Sequence, residues 1–284
     1  MPFSGNDLKT TSPAPPRWWD LPAAALLIVA LVTAATRLVA TRWTTELGIV
    51  QTCAFFGAIL GLALGQTRFS PRLAGLFALI YGLYLIPWQL GLNVKGDFLW
   101  SERLMILANR IGVVIWQVLH DVVVQDSILF IVLMSALFWT LSVQSGYILT
   151  RYGFAWGAVI PTGVAIMTIH AFDLMVPRRA WYLAVYIFFS LVLVARMAYL
   201  NEYSRWQHSR TALPPNLGLD FIRFALLAVL VLVTLAWSVP ALAQAVPSAA
   251  RVYQFIRQPY NSLRDRFDIA FASLRSSVGV INDY

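Results

Sequence analysis

Few side chains in this sequence combine in a way that could support nucleophilic chemistry. Cys53 is the single cysteine, and His170 with Asp173 offers the base and orienting acid that a cysteine nucleophile needs. Cys53 lies in an apolar stretch, however, where a thiol stays protonated. His170 and Asp173 lie at the end of another such stretch, where polar residues commonly meet water. The sequence therefore predicts no catalytic centre and no enzymatic activity.

The three histidines are also poorly placed to hold a prosthetic group. His120, His170 and His208 each lie at the end of an apolar stretch or in a connection, whereas a haem ligand usually lies deeper in an apolar helix. A single cysteine excludes a disulfide or a cysteine metal cluster within one chain. We therefore expect no metal site and no cofactor, and the sequence names no ligand-binding residue.

The spacing of three glycines indicates a structural site instead. Gly57, Gly61 and Gly65 form two overlapping GxxxG steps and share one face of a helix. Small residues at this spacing allow the backbone of a second helix to approach closely inside a membrane. The sequence predicts a helix-packing seam along this face.

The composition places these residues in a membrane protein. Hydrophobic residues make up 59% of the chain and charged residues 12%, far from the proportions of an ordinary soluble domain. The mean hydropathy is +0.69. The formal net charge is +8, but the basic residues are spread through the connections rather than gathered on one stripe. This distribution favours anionic lipid headgroups over nucleic acid as the partner.

Apolar blocks long enough to cross a bilayer predict an all-α, polytopic membrane bundle of about seven transmembrane helices. The fifth and sixth blocks are short, which leaves a re-entrant pair open as an alternative. Asp20, Asp126 and Asp220 each precede a block, where a carboxylate can cap a helix. The predicted blocks are 21–40, 48–64, 73–90, 127–149, 154–170, 180–195 and 221–242.

The remaining segments divide the chain into a tail, a bundle and interfacial elements. Residues 1–20, with Pro13, Pro15 and Pro16, suit a flexible tail, and 21–242 form the bundle. Within it, 96–125 is too polar to span but carries apolar residues at helical spacing, which predicts an amphipathic interfacial helix. A second apolar stripe, which includes Phe267 and Phe271, predicts another interfacial element within 243–284.

No Asp, Glu, Lys or Arg occupies the middle of any predicted block, which disfavours an ion-coupled transporter or a proton relay. Arg37, Arg196 and Arg223 lie near block ends, and we expect their long side chains to reach the headgroups. Basic residues fall on both sides of the bundle, so the positive-inside rule gives no clean orientation.

The chain resembles the N-terminal membrane region of the bacterial transglutaminase-like TgpA family. In that family several transmembrane helices precede an extracytoplasmic transglutaminase-like domain. The resemblance covers nearly the whole chain from about Arg17. It is carried by the glycine-rich second helix running into Gly65-Gln66-Thr67-Arg68-Phe69-Ser70, by Tyr81-Gly82, by the loop helix ending at Asp126 with Ile128-Leu129-Phe130, by Phe138-Trp139, and by Phe267-Asp268-Ile269-Ala270-Phe271.

The resemblance implies no catalytic residue here. The family's enzyme domain needs a cysteine, a histidine and an aspartate on a soluble fold, and no such domain follows within these 284 residues. The chain then represents a truncated relative, a split-gene product or a fragment. We expect a non-catalytic anchor or scaffold in the bacterial inner membrane, with the N-terminus cytoplasmic and the C-terminus extracytoplasmic. The expected partners are the lipid bilayer and other membrane subunits or a second copy.

Two other functions remain open from the sequence. One is an accessory subunit of a larger membrane assembly, such as an energy-transducing complex, that packs through the glycine face. The other is a carrier or channel for an uncharged or lipid-like substrate, because the absence of charges at depth does not exclude such a cargo.

Overall fold

A computed structural model describes residues 20–44, 46–94, 96, 98–120, 127–173, 180–208 and 217–245. Within these ranges the chain is all-helical, with eight α-helices and no β-strand, so the predicted fold class is confirmed. The helices are α1 (Leu21–Val39), α2 (Gly48–Gln66), α3 (Pro71–Leu92), α4 (Trp100–Leu119), α5 (Ile128–Tyr152), α6 (Ala155–Phe172), α7 (Trp181–His208) and α8 (Leu217–Ala245).

Six of the described helices are long and apolar enough to cross a membrane: α1, α2, α3, α5, α6 and the Trp181–Tyr203 part of α7. The protein is therefore a multi-pass helical membrane protein. The sixth predicted block was too short, since α7 continues well beyond residue 195. Helix α8 is also apolar over Phe221–Ala236, the part of it whose side chains the structure describes. The predicted tail and the C-terminal interfacial element lie almost wholly outside the described residues.

Local signals in the sequence explain where several helices begin. The carboxylate of Asp20 accepts a hydrogen bond from the backbone N–H of Ala23 at 3.0 Å, so its predicted role as a cap is confirmed. Ser70 caps α3 in the same way, with its hydroxyl 3.3 Å from the N–H of Leu73. Asp126 and the side chain of Asp220 lie outside what the structure describes.

A glycine in a left-handed conformation makes the connection from α5 to α6 very short. Gly153 has φ 65°, and its N–H donates to the carbonyl oxygen of Leu149 at 3.0 Å. A residue with a Cβ resists this conformation, so glycine is the natural C-terminal cap here. Only Gly153 and Phe154 separate the two helices, which turns the chain straight back through the bundle.

The helices run between two ends of one bundle. We call the end at which α1 begins the proximal end and the end at which α1 finishes the distal end. At the proximal end Ala23 and Ala24 share a buried cluster with Leu149 and Ala155. At the distal end Leu38 shares one with Ile169. Helices α2 and α5 are parallel, because Gly57 lies beside Trp139 and Gly65 beside Thr150. The fifth and sixth predicted blocks, for which a re-entrant pair was the alternative, correspond to α6 and α7. These two helices run in opposite directions between the two ends, and both are long enough to span.

Helix α4 lies against the distal end without being among the six candidate spans. Its first turn is bound to the end of α3, because Arg103 donates to the carbonyl oxygen of Gly91 at 3.1 Å. Its buried residues Leu107 and Val114 share a cluster with Ile128 at the start of α5. Both flanks of α4 are therefore at the same end of the bundle, and its position at a membrane surface remains a prediction.

Candidate functional site

A buried ion pair connects the distal ends of α1 and α6. Arg37 is 0% exposed, and its Nη1 lies 2.8 Å from Oδ2 of Asp173, which is 3% exposed. The expectation that Arg37 reaches the headgroups was wrong, and so was the expectation that Asp173 meets water. Hydropathy along the chain gives the depth of a residue in a helix, but it does not reveal whether the residue faces lipid or a neighbouring helix.

The guanidinium group of Arg37 is only partly satisfied. The contact with Asp173 is close enough for an ion pair but lacks the alignment of a hydrogen bond, and within the described part of the chain Nε and Nη2 have no hydrogen-bond partner either. Buried N–H groups without acceptors are costly, more so when they carry charge. The single carboxylate of Asp173 therefore supports a charge that has little other compensation among the described residues.

His170 completes this group of three ionisable side chains. It lies on α6 three residues before Asp173 and is half-buried, with electrostatic interactions from both Arg37 and Asp173. Its Nδ1 is buried and has no hydrogen-bond partner among the residues that the structure describes. We call Arg37, His170 and Asp173 the distal charge cluster.

Cys53 belongs to a different part of the core. It is fully buried on α2, where it shares an apolar cluster with Trp139 and Val143 of α5. Its polar neighbour is Ser135 of α5. The structure therefore pairs His170 and Asp173 with Arg37, and it gives Cys53 a serine neighbour.

The three predicted seam glycines all face α5. A Cβ on Gly57 would lie 3.0 Å from the carbonyl oxygen of Trp139. A Cβ on Gly61 would overlap the carbonyl group of Val143, and one on Gly65 would overlap the hydroxyl of Thr150. Only glycine fits at these contacts, because the backbone or a buried side chain of α5 occupies the space that a side chain would need.

Helix α5 contributes a matching set of small residues, which the sequence reasoning missed. A Cβ on Gly146 would lie 2.7 Å from the carbonyl oxygen of Ala58. Ser142 and Thr150 lie four residues to either side of Gly146 and are also buried. The spacing Ser142-xxx-Gly146-xxx-Thr150 repeats that of the glycines on α2, so this signal was present in the sequence.

Trp139 links the seam to α3. Its Nε1 donates to the carbonyl oxygen of Ala78 at 3.0 Å, and a Cβ on Gly82 would lie 2.6 Å from the same nitrogen. The indole ring thus fills the space left by two glycines, Gly57 on α2 and Gly82 on α3. One aromatic side chain therefore fixes the positions of three helices.

A second ion pair connects α1 to α7 at the proximal end. Arg196 donates two hydrogen bonds to the carboxylate of Asp20. Its Nη2 lies 2.9 Å from Oδ1, and its Nε lies 3.1 Å from Oδ2. The hydrogen bond from Arg196 is the main reason that the pKa of Asp20 lies below its usual value. Arg196 also lies over the ring of Tyr199. The guanidinium group of Arg196 is thus held by Asp20, directly before α1 begins.

Two further arginines satisfy carbonyl groups at helix ends. Arg103 donates to the carbonyl oxygens of Gly91, Gly96 and Phe98. Arg151 at the end of α5 donates to the carbonyl oxygen of Thr67 at 2.7 Å, next to the end of α2. These contacts supply donors to carbonyl groups at or just beyond the ends of helices, where intrahelical donors run out.

The other residues singled out from the sequence are more exposed or are not described. His120 is exposed and stacks on Trp116 with ring centroids 4.4 Å apart. Arg223 is exposed on α8. The side chain of His208 lies outside the described part of the chain. Among the described residues, no group of three or more histidine, cysteine, aspartate or glutamate side chains is arranged to hold a metal ion.

Comparison of the chain with protein-family models, with curated proteins and with solved structures finds no match. The resemblance to the TgpA membrane region therefore stays a prediction.

Proposed function

We propose that the protein is a non-catalytic scaffold of a bacterial inner membrane. The observation that carries this proposal is the use of polar side chains in contacts between helices: Trp139, Arg151 and Arg196 each bind a neighbouring helix or its end. The glycine seam between α2 and α5 adds a contact in which backbones meet. Polar groups used in this way give a membrane bundle a defined shape.

The outer surface suits such a role. Helix α3 is mostly exposed and presents large apolar side chains, including Leu79, Leu83 and Tyr84. The described part of α8 is equally exposed and packs on α7. These faces meet lipid or another membrane subunit, so a structural subunit of a larger assembly is the form of scaffold that we favour.

The relationship to the TgpA membrane region is retained as part of the proposal. In support, Gly82 and Trp139, which belong to the motifs that carry the resemblance, lie in contact with each other. The orientation that we propose places the N-terminus, and hence the proximal end, on the cytoplasmic side.

Complementation of a deletion strain tests the scaffold proposal. The variant Cys53→Ala removes the single thiol and should restore the wild-type phenotype fully. The variant Gly61→Leu disrupts the α2–α5 contact and should not restore it. Gly75→Leu is the matched control, because a Cβ at Gly75 meets no atom within 4 Å. Loss of function in Cys53→Ala at normal protein abundance, together with acyl or amide transfer by the purified wild type that this variant lacks, would overturn the proposal.

A further inference from the structure

We propose that the distal charge cluster is a pH-sensitive lock that holds the end of α6 against α1. The structural basis is a buried ion pair, Arg37 with Asp173, and a titratable base, His170, that lies three residues before Asp173 on α6 and interacts electrostatically with both. This inference goes beyond the scaffold function and does not depend on it.

The net charge of the distal charge cluster determines how strongly α6 is held against α1. With a neutral imidazole, the charges of Arg37 and Asp173 cancel, and the pair connects α1 to the last residues of α6 at 2.8 Å. A proton on His170 adds a second positive charge beside a guanidinium group that already has few acceptors. The imidazolium repels Arg37, so the α1–α6 contact weakens.

No other described group on the surrounding helices replaces His170 as the titrating residue. Helix α6 packs on α1, α5 and α7. The charged groups that act on His170 are Arg37 from α1 and Asp173 from α6 itself. In its distal half α5 carries no Asp, Glu, Lys, Arg, His or Cys, and the distal half of α7 carries Tyr182 and Tyr186 as its ionisable residues. Tyrosines ionise only near pH 10. Arg178 and Arg179 follow in the sequence, outside the described residues, and do not titrate in this range.

Thermal unfolding in phosphatidylcholine nanodiscs at pH 7.5 and pH 5.5 tests the lock. We expect the Tm of the wild type to fall on acidification by on the order of 5 °C. The Tm of His170→Gln should fall much less on acidification, because glutamine is polar but cannot become charged. His120→Gln is the control, since His120 is exposed directly after α4, and it should behave like the wild type.

A distance measurement keeps the test decisive if His170→Gln does not fold. Spin labels at Arg42, in the connection that follows α1, and at Met167 on α6, both exposed, report the separation of the end of α1 from α6 in a Cys53→Ala background. Their distance distribution should lengthen or broaden at pH 5.5. The proposal would be overturned if the distance distribution or the wild-type Tm did not change between the two pH values. It would also be overturned if the Tm of His170→Gln fell as much as that of the wild type.

Discussion

In this bundle, charged side chains are buried or partly buried where a residue of opposite charge on or beside another helix pairs with them. Arg37 lies two residues before the end of α1, and it turns inward to Asp173. Arg196 lies further from the end of its candidate span, Trp181–Tyr203, and its Nε and Nη2 donate to the carboxylate of Asp20. Each pair joins α1 to a helix far away in the sequence. In the interior of a membrane protein such pairs specify which helices associate.

Removal of one partner of the distal ion pair should destabilise the bundle strongly. Asp173→Leu leaves the buried guanidinium group of Arg37 without the carboxylate that pairs with it among the described residues, which costs about 3–5 kcal/mol. The double variant Arg37→Leu/Asp173→Leu should recover much of the loss, because no uncompensated charge remains. Unfolding of the two single variants and the double variant in the same detergent measures the difference. A double variant no more stable than the weaker single variant would show that the pair is not the source of the effect.

The proximal ion pair should make stability depend on pH in the acid range. The pKa of Asp20 is lowered in the folded protein by Arg196. Its contribution is therefore fully present above the unfolded pKa of about 3.9, and it is lost as the pH falls through the folded pKa. The unfolding free energy of the wild type should decrease as the pH is lowered from 5 to 3, and that of Asp20→Asn should decrease less over the same interval. Equal decreases would contradict this assignment.

At the scale of helices, the contact between α2 and α5 depends on missing side chains. Both helices carry small residues four positions apart, and each inserts into the backbone of the other, as Gly61 does at Val143 and Gly146 at Ala58. Close approach of this kind increases van der Waals contact, which stabilises helix pairs where lipid provides no hydrophobic driving force. Because α2 and α5 are parallel and far apart in the sequence, no short connection holds them together, and their association depends on this specific contact.

Gly61→Ala should separate α2 from α5, although the change is a single methyl group. A Cβ at this position overlaps the carbonyl group of Val143, so a helix must shift. Gly75→Ala on α3 is the control, because open space surrounds it, and alanine raises helix propensity there by about 1 kcal/mol. Thermal stability in detergent should fall for Gly61→Ala and stay equal or rise for Gly75→Ala. Equal effects of the two substitutions would argue against the seam.

At the scale of the whole molecule, the bundle is built around α1, α2, α5, α6 and α7, with α3, α4 and α8 at its periphery. The peripheral helices leave their outward apolar faces available to lipid or to a partner. The amphipathic α4 is held at the distal end by Arg103 and by its own buried residues. This arrangement places both flanks of α4 on one side of the predicted membrane.

Labelling from one side of sealed vesicles should locate α4 at the membrane surface. Cysteines at Ser101 and His120, both exposed and at opposite ends of α4, should react with a membrane-impermeant reagent from the same side in a Cys53→Ala background. A cysteine at Arg68, exposed in the connection between α2 and α3, should react from the other side. Labelling of Ser101 and His120 from opposite sides would mean that α4 crosses the membrane.

The sequence by itself determined the membrane class, the approximate helix positions, the cap at Asp20 and the small-residue face of α2. Those features are local, because hydropathy, capping and glycine spacing act within one helix or its first turn. Only the tertiary structure decided that Arg37 meets Asp173, that Arg196 meets Asp20, and that α5 is the partner of the glycine face. Each of these contacts depends on which helices become neighbours and on how each helix is rotated about its axis. Both follow from the packing of the whole bundle.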